Sequence, residues 1–599
     1  MVSTISLSDS GSAVRETPLW RIFLVIYATA LVMVLLDVAD GVPFVGDVDD
    51  QLRELQIRSL MSGQGHWFDL SLPFVSMPEA YVSPWSRLVD LPYVAIAWLL
   101  RPWLPVEQGL SVAFHTWPPI MLAIFGLLAA AAVRRLMGGL AMSGTAFSLS
   151  LVLMTMLMSI GVLEFSPGRI DHHNVQIIAL MMIFGGLVRW DRIGGLMVGA
   201  GAAISTVIGL ECLPFVTIVY AGLVACHIAG FGDIRRVIVP ASVSMIVVTV
   251  VSAFAFLGPV GALSTQCDAF SAPYIVLLCG FSLILGAGAA LQGRGTHPLV
   301  KLLSLAVPGA LLLGGAALIF PSCLAGPYGI IDPLSRALWF DRIWQEKSLL
   351  YFYEGGRYNL LFLLGLTASF AILALPFPIA CLRKGQYGPA IGYLMAAGAL
   401  VLTFLVTRNI RFPTVLLPIF LPAVVAMYTG ARPAFGRACG LAAVGLVALL
   451  IGGRFWFPPV QKPFDAIDYM AGLDCKEQDF SVLASVPAGR IALPQGLGLQ
   501  VAFAAPPGFS VGAIPFHRAS PGMRRMYEAF LTSDPVLRRQ ALAPFDYVAV
   551  CAFPYAVDAA QAPLYAALVH DGDWPGLTPV ASSTPSDFQL FRIDHAALR

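Results

Sequence analysis

Charge is scarce in this chain: only 12% of its 599 residues are Asp, Glu, Lys or Arg, against 58% hydrophobic. So little polar surface cannot cover a water-soluble globule of this size, and a mean hydropathy of +0.78 excludes one. The charge that exists is balanced, 36 basic against 35 acidic residues, so the basic excess expected of a nucleic-acid binder is missing too. The nine cysteines show no CxxC spacing, which excludes a zinc ribbon and a disulfide framework. Cys212, Cys226, Cys279, Cys381 and Cys439 sit in apolar runs as packing residues. Cys267 with Cys323, or Cys475 with Cys551, are candidates to pair in an oxidising compartment. No small-residue cleavage site follows the apolar run from Leu19 to Leu36, so that run reads as a retained membrane helix. No internal repeat is evident.

What is present is a series of oily runs parted by short polar breaks. A spanning helix needs roughly 20 apolar residues. Crossings are expected at 19–41, 108–133, 140–162, 173–189, 194–212, 214–230, 237–258, 272–291, 302–321, 358–380, 388–407, 412–430 and 437–455. Basic residues recur at every second break: Arg134 and Arg135, Arg189 and Arg192, Arg235 and Arg236, Arg294 and Lys301, Arg383 and Lys384, Arg432 and Arg437. The bias of basic loops to the inside makes those breaks cytoplasmic, and about thirteen helices follow with the amino end inside and the carboxyl end outside. The Pro-interrupted segment from Leu88 to Leu104 must then be interfacial or re-entrant, since a crossing there would put the arginines out of phase.

Three outer segments remain: a loop at 42–107, a loop at 322–357, and everything after Phe455. Long loops in compact proteins tend to be functional. Residues 456–599 have a globular charge balance, a strand-like "FDYVAVCAF" and a helical "GMRRMYEAFLTSDPVLRRQAL". They read as a small α/β domain outside a membrane domain of residues 1–455.

Chemistry-bearing residues gather on the outer side. In "GDVDDQLRELQIRSL", Asp47, Asp49 and Asp50 repel one another, and a divalent cation or a basic partner relieves that; the bland alternative is an acidic loop that caps the following helix. In "SPGRIDHHNVQ", Asp171 and His173 lie two apart beside His172 and Arg169. A carboxylate with a neutral imidazole suits manganese, with magnesium as the alternative. Simple interfacial hydrogen bonding explains one histidine more easily than this whole group. Glu346 follows a Trp-rich stretch, with Asp332, Asp341 and Glu354 as competitors. Arg408 and Arg411, in "TRNIRFP", are fork-shaped donors suited to phosphate, or ordinary interfacial anchors. Glu211 lies within a pair of short helices, and an intramembrane carboxylate is costly enough to suggest function or a hydrogen bond across that pair.

This ensemble resembles a GT-C glycosyltransferase, in the branch that holds the catalytic subunit of oligosaccharyltransferase. The resemblance rests on the helix count, the outer C-terminal domain and three motifs. Asp49 and Arg58 keep the family's nine-residue spacing between a catalytic acid and an arginine. "DHH" from Asp171 to His173 matches a second acidic motif, and Glu346 is the candidate for an acid of the fifth outer loop that completes the metal site. The chain lacks the WWDYG-like motif by which the family recognises the Ser or Thr of an asparagine sequon, which leaves the acceptor open. Blocks at Asp47 to Arg53, Trp85 to Asp90 and Gly168 to Gln176 are similar to those of an alphaproteobacterial branch of membrane proteins, which implies a bacterial inner membrane with a periplasmic active face.

Such an enzyme takes a sugar from a polyprenyl phosphate or pyrophosphate whose tail lies in the bilayer. The expected assignment is Mn2+ or Mg2+ on Asp171, His173 and Glu346, with the donor phosphate on Arg411 and Arg408 in reserve. Asp49, or else Asp47, is the base that takes the acceptor's proton, with inversion at the sugar. The acceptor is a lipid, a glycan or a protein. The competing class is a transporter or flippase of a lipid-linked sugar. Its coupling residues would sit near the midplane on broken, often repeated helices, whereas here acids and histidines gather at one surface.

Overall fold

A computed structural model describes residues 17–39, 47–63, 65–231, 233–429, 434–453, 464–472, 475, 479–553, 555–570, 572–581 and 586–598. Arg432, the start of the first outer loop at 42 and the expected domain boundary at 455 lie outside the described residues. The chain divides into two units, the first made of residues 1–46, 85–324 and 347–460, the second of residues 47–84, 325–346 and 461–599.

The first unit is helical. Among the described residues, ten helices are long and apolar enough to cross a membrane: Leu19–Ala39, Val106–Leu136, Leu210–Ala229, Arg235–Leu263, Ala272–Leu291, Pro298–Ile319, Tyr358–Arg383, Tyr387–Leu405, Thr407–Thr429 and Phe435–Gly453. The chain is a polytopic membrane protein. Three further expected crossings form shorter helices, Gly144–Leu157, His173–Arg189 and Arg192–Ile208. The first of these, 14 residues long, stops at Met158 and resumes as the short turn Ser159–Leu163. At 1.5 Å per residue it reaches about 21 Å, less than the ~30 Å of a hydrocarbon core. The segment expected to be interfacial contains the 11-residue helix Asp90–Leu100.

Small residues draw several of these helices together. A Cβ on Gly195 would stand 2.3 Å from the Val237 carbonyl oxygen, and one on Gly199 would stand 2.0 Å from that of Ala241. Backbones this close are the usual way helices associate where no hydrophobic force separates protein from lipid. The same packing fixes Arg192–Ile208 against His173–Arg189, where a Cβ on Gly201 would meet the Ala179 carbonyl oxygen at 2.6 Å. The ends of both helices, which carry polar residues, are held in place by it. Cys267 and Cys323 are joined as a disulfide in this unit. Cys212, Cys226, Cys381 and Cys439 are buried thiols, as packing residues should be.

The second unit is built on a seven-stranded sheet. Its strands run in the spatial order Ala80–Val82, Ser71–Ser76, Ser510–Val511, Arg490–Ala492, Tyr547–Cys551, Phe588–Ile593 and Leu577–Pro579. Ser71–Ser76 joins Ser510–Val511 in parallel through the pair Val75 and Val511. "YVAVC" forms the strand Tyr547–Cys551, buried at every residue. "GMRRMYEAFLTSDPVLRRQAL" forms the helices Ser520–Phe530 and Pro535–Leu542, the second capped by the Asp534 carboxylate on the Val536 N–H at 2.8 Å. Met523, Met526, Phe530, Val548, Leu564 and Phe591 fill the core, and Trp339 enters it from 325–346. That segment is tied down further by Arg342, 2.8 Å from Asp465 and 3.2 Å from Asp468. Cys475 and Cys551 form the second disulfide.

This unit therefore draws on the first and second outer loops as well as the C-terminal segment. Val75 and Val511 pair across more than four hundred residues of chain, and no local periodicity reveals such a partner.

Candidate functional site

The most concentrated polar chemistry of the first unit lies where the helix His173–Arg189 begins. Its approach is set by "SPGR". Gly168 has φ +89°, which an L side chain resists, and the Arg169 N–H returns to the Ser166 carbonyl at 3.0 Å. Pro followed by a left-handed Gly inside such a closed four-residue loop is the signature of a type II turn. The Gly168 N–H anchors this turn to the Phe114 carbonyl at 3.0 Å, and the Asn174 amide donates to the Arg169 carbonyl at 3.1 Å. The chain thus enters the helix with Asp171, His172 and His173 all turned inward and buried.

Asp171 is shared by two imidazoles. One carboxylate oxygen contacts Nδ1 of His172 and the other contacts Nδ1 of His173. The His172 backbone N–H also donates to this carboxylate, at 2.6 Å. The two rings stack with centroids 4.3 Å apart, and the Trp85 ring lies 5.5 Å from that of His172. Burial pushes the Asp171 carboxyl up, but the neighbouring His172 and His173 outweigh it and hold the group well below the usual carboxylate range. Burial also holds His172 below its ordinary value, against the pull of Asp171. At neutral pH the pair therefore offers an anionic oxygen and an uncharged imidazole.

Acids and arginines from other elements surround this core. Glu211 reaches His173 Nε2 at 3.3 Å and His172 Nε2 at 3.9 Å, while its other oxygen accepts from Arg408 Nη2 at 2.7 Å. Arg169 contacts Glu164 and lies 3.9 Å from Asp171. Glu164 also pairs with Arg411 Nη1 at 3.0 Å. A close approach makes this last pair: a Cβ on Gly161 would stand 2.0 Å from Val415 Cγ2, so only glycine lets Ser159–Leu163 lie against Arg411–Leu416.

The structure thus brings together Arg169, Asp171, His172, His173, Glu211, Arg408 and Arg411 within the first unit. Glu164 was missed by the sequence reading. Its signal was a lone acid at the end of an apolar run, the same signal that marked Glu211. Asp47, Asp49, Arg58 and Glu346 belong to the second unit. There Asp47 is the N-cap of Val48–Met61, with Oδ1 accepting from the Asp49 and Asp50 N–H groups at 3.0 Å each. Arg58 pairs with Glu54 at 2.7 Å one turn earlier in the helix. Glu346, itself half-buried, ends the turn Trp344–Glu346, whose other two residues are exposed. Of its competitors, Asp332 is committed as the cap of Pro333–Leu338, and Asp341 and Glu354 are exposed.

The donor set fits a divalent cation. One ligand atom each from Asp171, His172 and His173 lies within 4.8 Å of the others, and all three residues are buried. A carboxylate with imidazoles is the mixed oxygen and nitrogen set that borderline cations prefer.

No protein-family model matches this chain. No curated protein matches it in sequence. Solved structures do match in fold. One is the archaeal oligosaccharyltransferase AglB from Archaeoglobus fulgidus in complex with an inhibitory peptide and a dolichol-phosphate, with TM-score 0.61 and 12% identity, covering 98% of this chain and 75% of that one. A second is the oligosaccharyltransferase of the same organism tethered to an acceptor peptide containing the NVT sequon, with TM-score 0.58 and 13% identity over 96% of this chain and 74% of that one. A third holds zinc and sulfate, with TM-score 0.54 and 13% identity over 94% of this chain and 72% of that one. The chain shares the fold of these structures, as the sequence resemblance implied.

Proposed function

We propose that this protein is an inverting membrane glycosyltransferase. It moves a sugar or glycan from a polyprenyl phosphate or pyrophosphate to a lipid, glycan or protein acceptor at the periplasmic face of a bacterial inner membrane. One observation carries this reading: a buried carboxylate and two imidazoles, flanked by Arg408 and Arg411, stand on an oligosaccharyltransferase fold. The dolichol-phosphate and the acceptor peptide held by the archaeal neighbours support a lipid-linked donor and a separate acceptor. Zinc and sulfate in another neighbour support a fold that takes a cation and an anion. Two disulfides support an oxidising compartment for the segments that bear them.

The reaction breaks the bond between the anomeric carbon and the donor's phosphate oxygen and forms one to the acceptor oxygen. Asp171 and His173 would hold the cation, manganese or magnesium, with His172 beside them. When bound, such an ion stabilises the negative charge that builds on the departing phosphate. Arg411 keeps a guanidinium with several donors next to that site, one of them engaged by Glu164, and would bind the phosphate. The acceptor hydroxyl loses its proton to a carboxylate as the new bond forms. Asp49 is proposed for this role rather than Asp47, whose Oδ1 already caps a helix. The roles of Asp49 as base and of Glu346 as a further metal ligand rest on the sequence resemblance. The membrane domain of residues 1–455 and the outer domain of residues 456–599, as functional divisions, rest on charge balance and patterning in the sequence.

The test is purified protein in liposomes, given a panel of radiolabelled polyprenyl-phosphate sugars and membrane extract. Transfer of label with inverted anomeric configuration, blocked by chelator, is expected. Absence of transfer from every donor, with counterflow of labelled lipid in sealed vesicles instead, would replace the enzyme by a transporter.

A further inference from the structure

Glu211 and Arg408 form an arrangement to which the proposed reaction assigns no step. A neutral imidazole carries one N–H and one lone pair, and its two nitrogens have distinct roles. His173 turns Nδ1 to Asp171 and Nε2 to Glu211, with Nε2 and Oε2 3.3 Å apart. If Nδ1 is the ligand atom, the proton resides on Nε2, and a carboxylate is the acceptor that fixes this tautomer and raises the basicity of the ligand nitrogen.

Glu211 is itself held from two sides. Arg408 Nη2 binds its other oxygen at 2.7 Å, from the turn Thr407–Ile410, whose Thr407 N–H is fixed to the Lys347 carbonyl at 3.0 Å. Its backbone lies in the turn Leu210–Cys212, directly after the extended Gly209 that ends Arg192–Ile208. The Ser86 hydroxyl donates to the Val207 carbonyl at 2.9 Å, pinning that helix end, and the adjacent Trp85 packs on His172. "WSRLVD" therefore secures both the histidine pair and the turn that carries Glu211.

We propose that Glu211 is the positioning carboxylate of His173 in the metal centre, and that Arg408 acts as the anchor of Glu211 rather than as a phosphate ligand. This rests on the reading of Asp171 and His173 as metal ligands.

The test measures Mn2+ alone binding to the full-length protein, by electron paramagnetic resonance and calorimetry, together with thermal unfolding in the absence of metal. Glu211→Gln keeps the shape and an acceptor oxygen but loses the charge, and is expected to weaken Mn2+ binding by about 10- to 100-fold. Arg408→Gln is expected to weaken it in the same direction. The double variant is expected to be no worse than Glu211→Gln alone, because the two residues act in series. Arg408→Lys, which keeps the charge without the fork, should be intermediate and serves if the glutamine variant does not fold. Unchanged Mn2+ affinity in Glu211→Gln, with only a lower unfolding temperature, would overturn the inference and leave the metal centre standing. So would Arg408→Gln that weakens binding of inorganic phosphate to the Mn2+-loaded protein while Mn2+ affinity stays unchanged. Wild-type protein that binds no Mn2+ would overturn the metal centre and this inference together.

Discussion

Two acidic motifs precede helices in this chain, and they use their carboxylates in opposite ways. Asp47 is exposed and turns one oxygen back to the N–H groups of Asp49 and Asp50, the second and third residues of its own helix. Asp171 stands one residue before the cap position of its helix, is buried, and faces two imidazole rings. The first arrangement satisfies orphan helix donors. The second places an anion between two imidazoles in a buried pocket, a mixed oxygen and nitrogen set that suits a cation. Spacing of acids alone does not separate the two, whereas burial and the identity of the flanking residues do.

The sharpest way to break this contrast is Asp171→Asn. Glycosyl transfer should fall by about 10²–10³-fold, the size of losing one aimed electrostatic stabiliser, and the unfolding temperature should fall as well, because Arg169 and the two imidazoles lose the anion that compensates them. A variant with normal turnover would place Asp171 in the same structural class as Asp47. Next in size is Glu164→Ala, which leaves Arg169 and Arg411 facing each other without the acid between them. Breaking a buried ion pair in this way costs about 3–5 kcal/mol, read as a lowered denaturation midpoint in detergent.

Much of the site was legible before any coordinates. The phase of the arginine-bearing breaks put Asp171, Glu211, Arg408 and Arg411 at one end of the bundle, and in the structure Arg408 pairs with Glu211 while Glu164, Arg169, His172 and His173 link the rest. Helices occupy the positions of all thirteen expected crossings among the described residues, since hydropathy needs only local chain. Both cysteine pairs offered as alternatives are bonded. What escaped depends on distant partners. Glu164 gained meaning only when Gly161 let another helix come close, and the strand Ser71–Ser76 only when it met Ser510–Val511. The partner of Arg58 was one turn away at Glu54, a spacing that the family pattern obscured.

Smaller effects sharpen the Asp47 side of the comparison. Asp47→Ala should lower stability by about 1 kcal/mol in thermal unfolding, whereas Asp47→Asn keeps a capping oxygen and should cost only a few tenths. If Asp49 is the base, Asp47→Asn retains transfer and Asp49→Asn loses it. The smallest effect belongs to the half-exposed pair Arg342 and Asp465. Burial opposes ionisation of Asp465, but the hydrogen bond from Arg342 holds its carboxyl below the usual range. Its stabilisation is therefore present above the ordinary Asp pKa and disappears as pH falls through the lowered value. For so exposed a pair it should be worth less than about 1 kcal/mol, visible as a shallower acid dependence of the unfolding temperature in Asp465→Asn.

The most direct test of the central claim is single-turnover transfer from a lipid-linked sugar that the protein accepts, measured with chelator and again after Mn2+ is restored, in wild type and in Asp171→Asn. The account predicts that chelator stops the wild type, that Mn2+ revives it, and that Asp171→Asn responds to neither. Full wild-type turnover in chelator, or an Asp171→Asn variant that turns over normally, would contradict it.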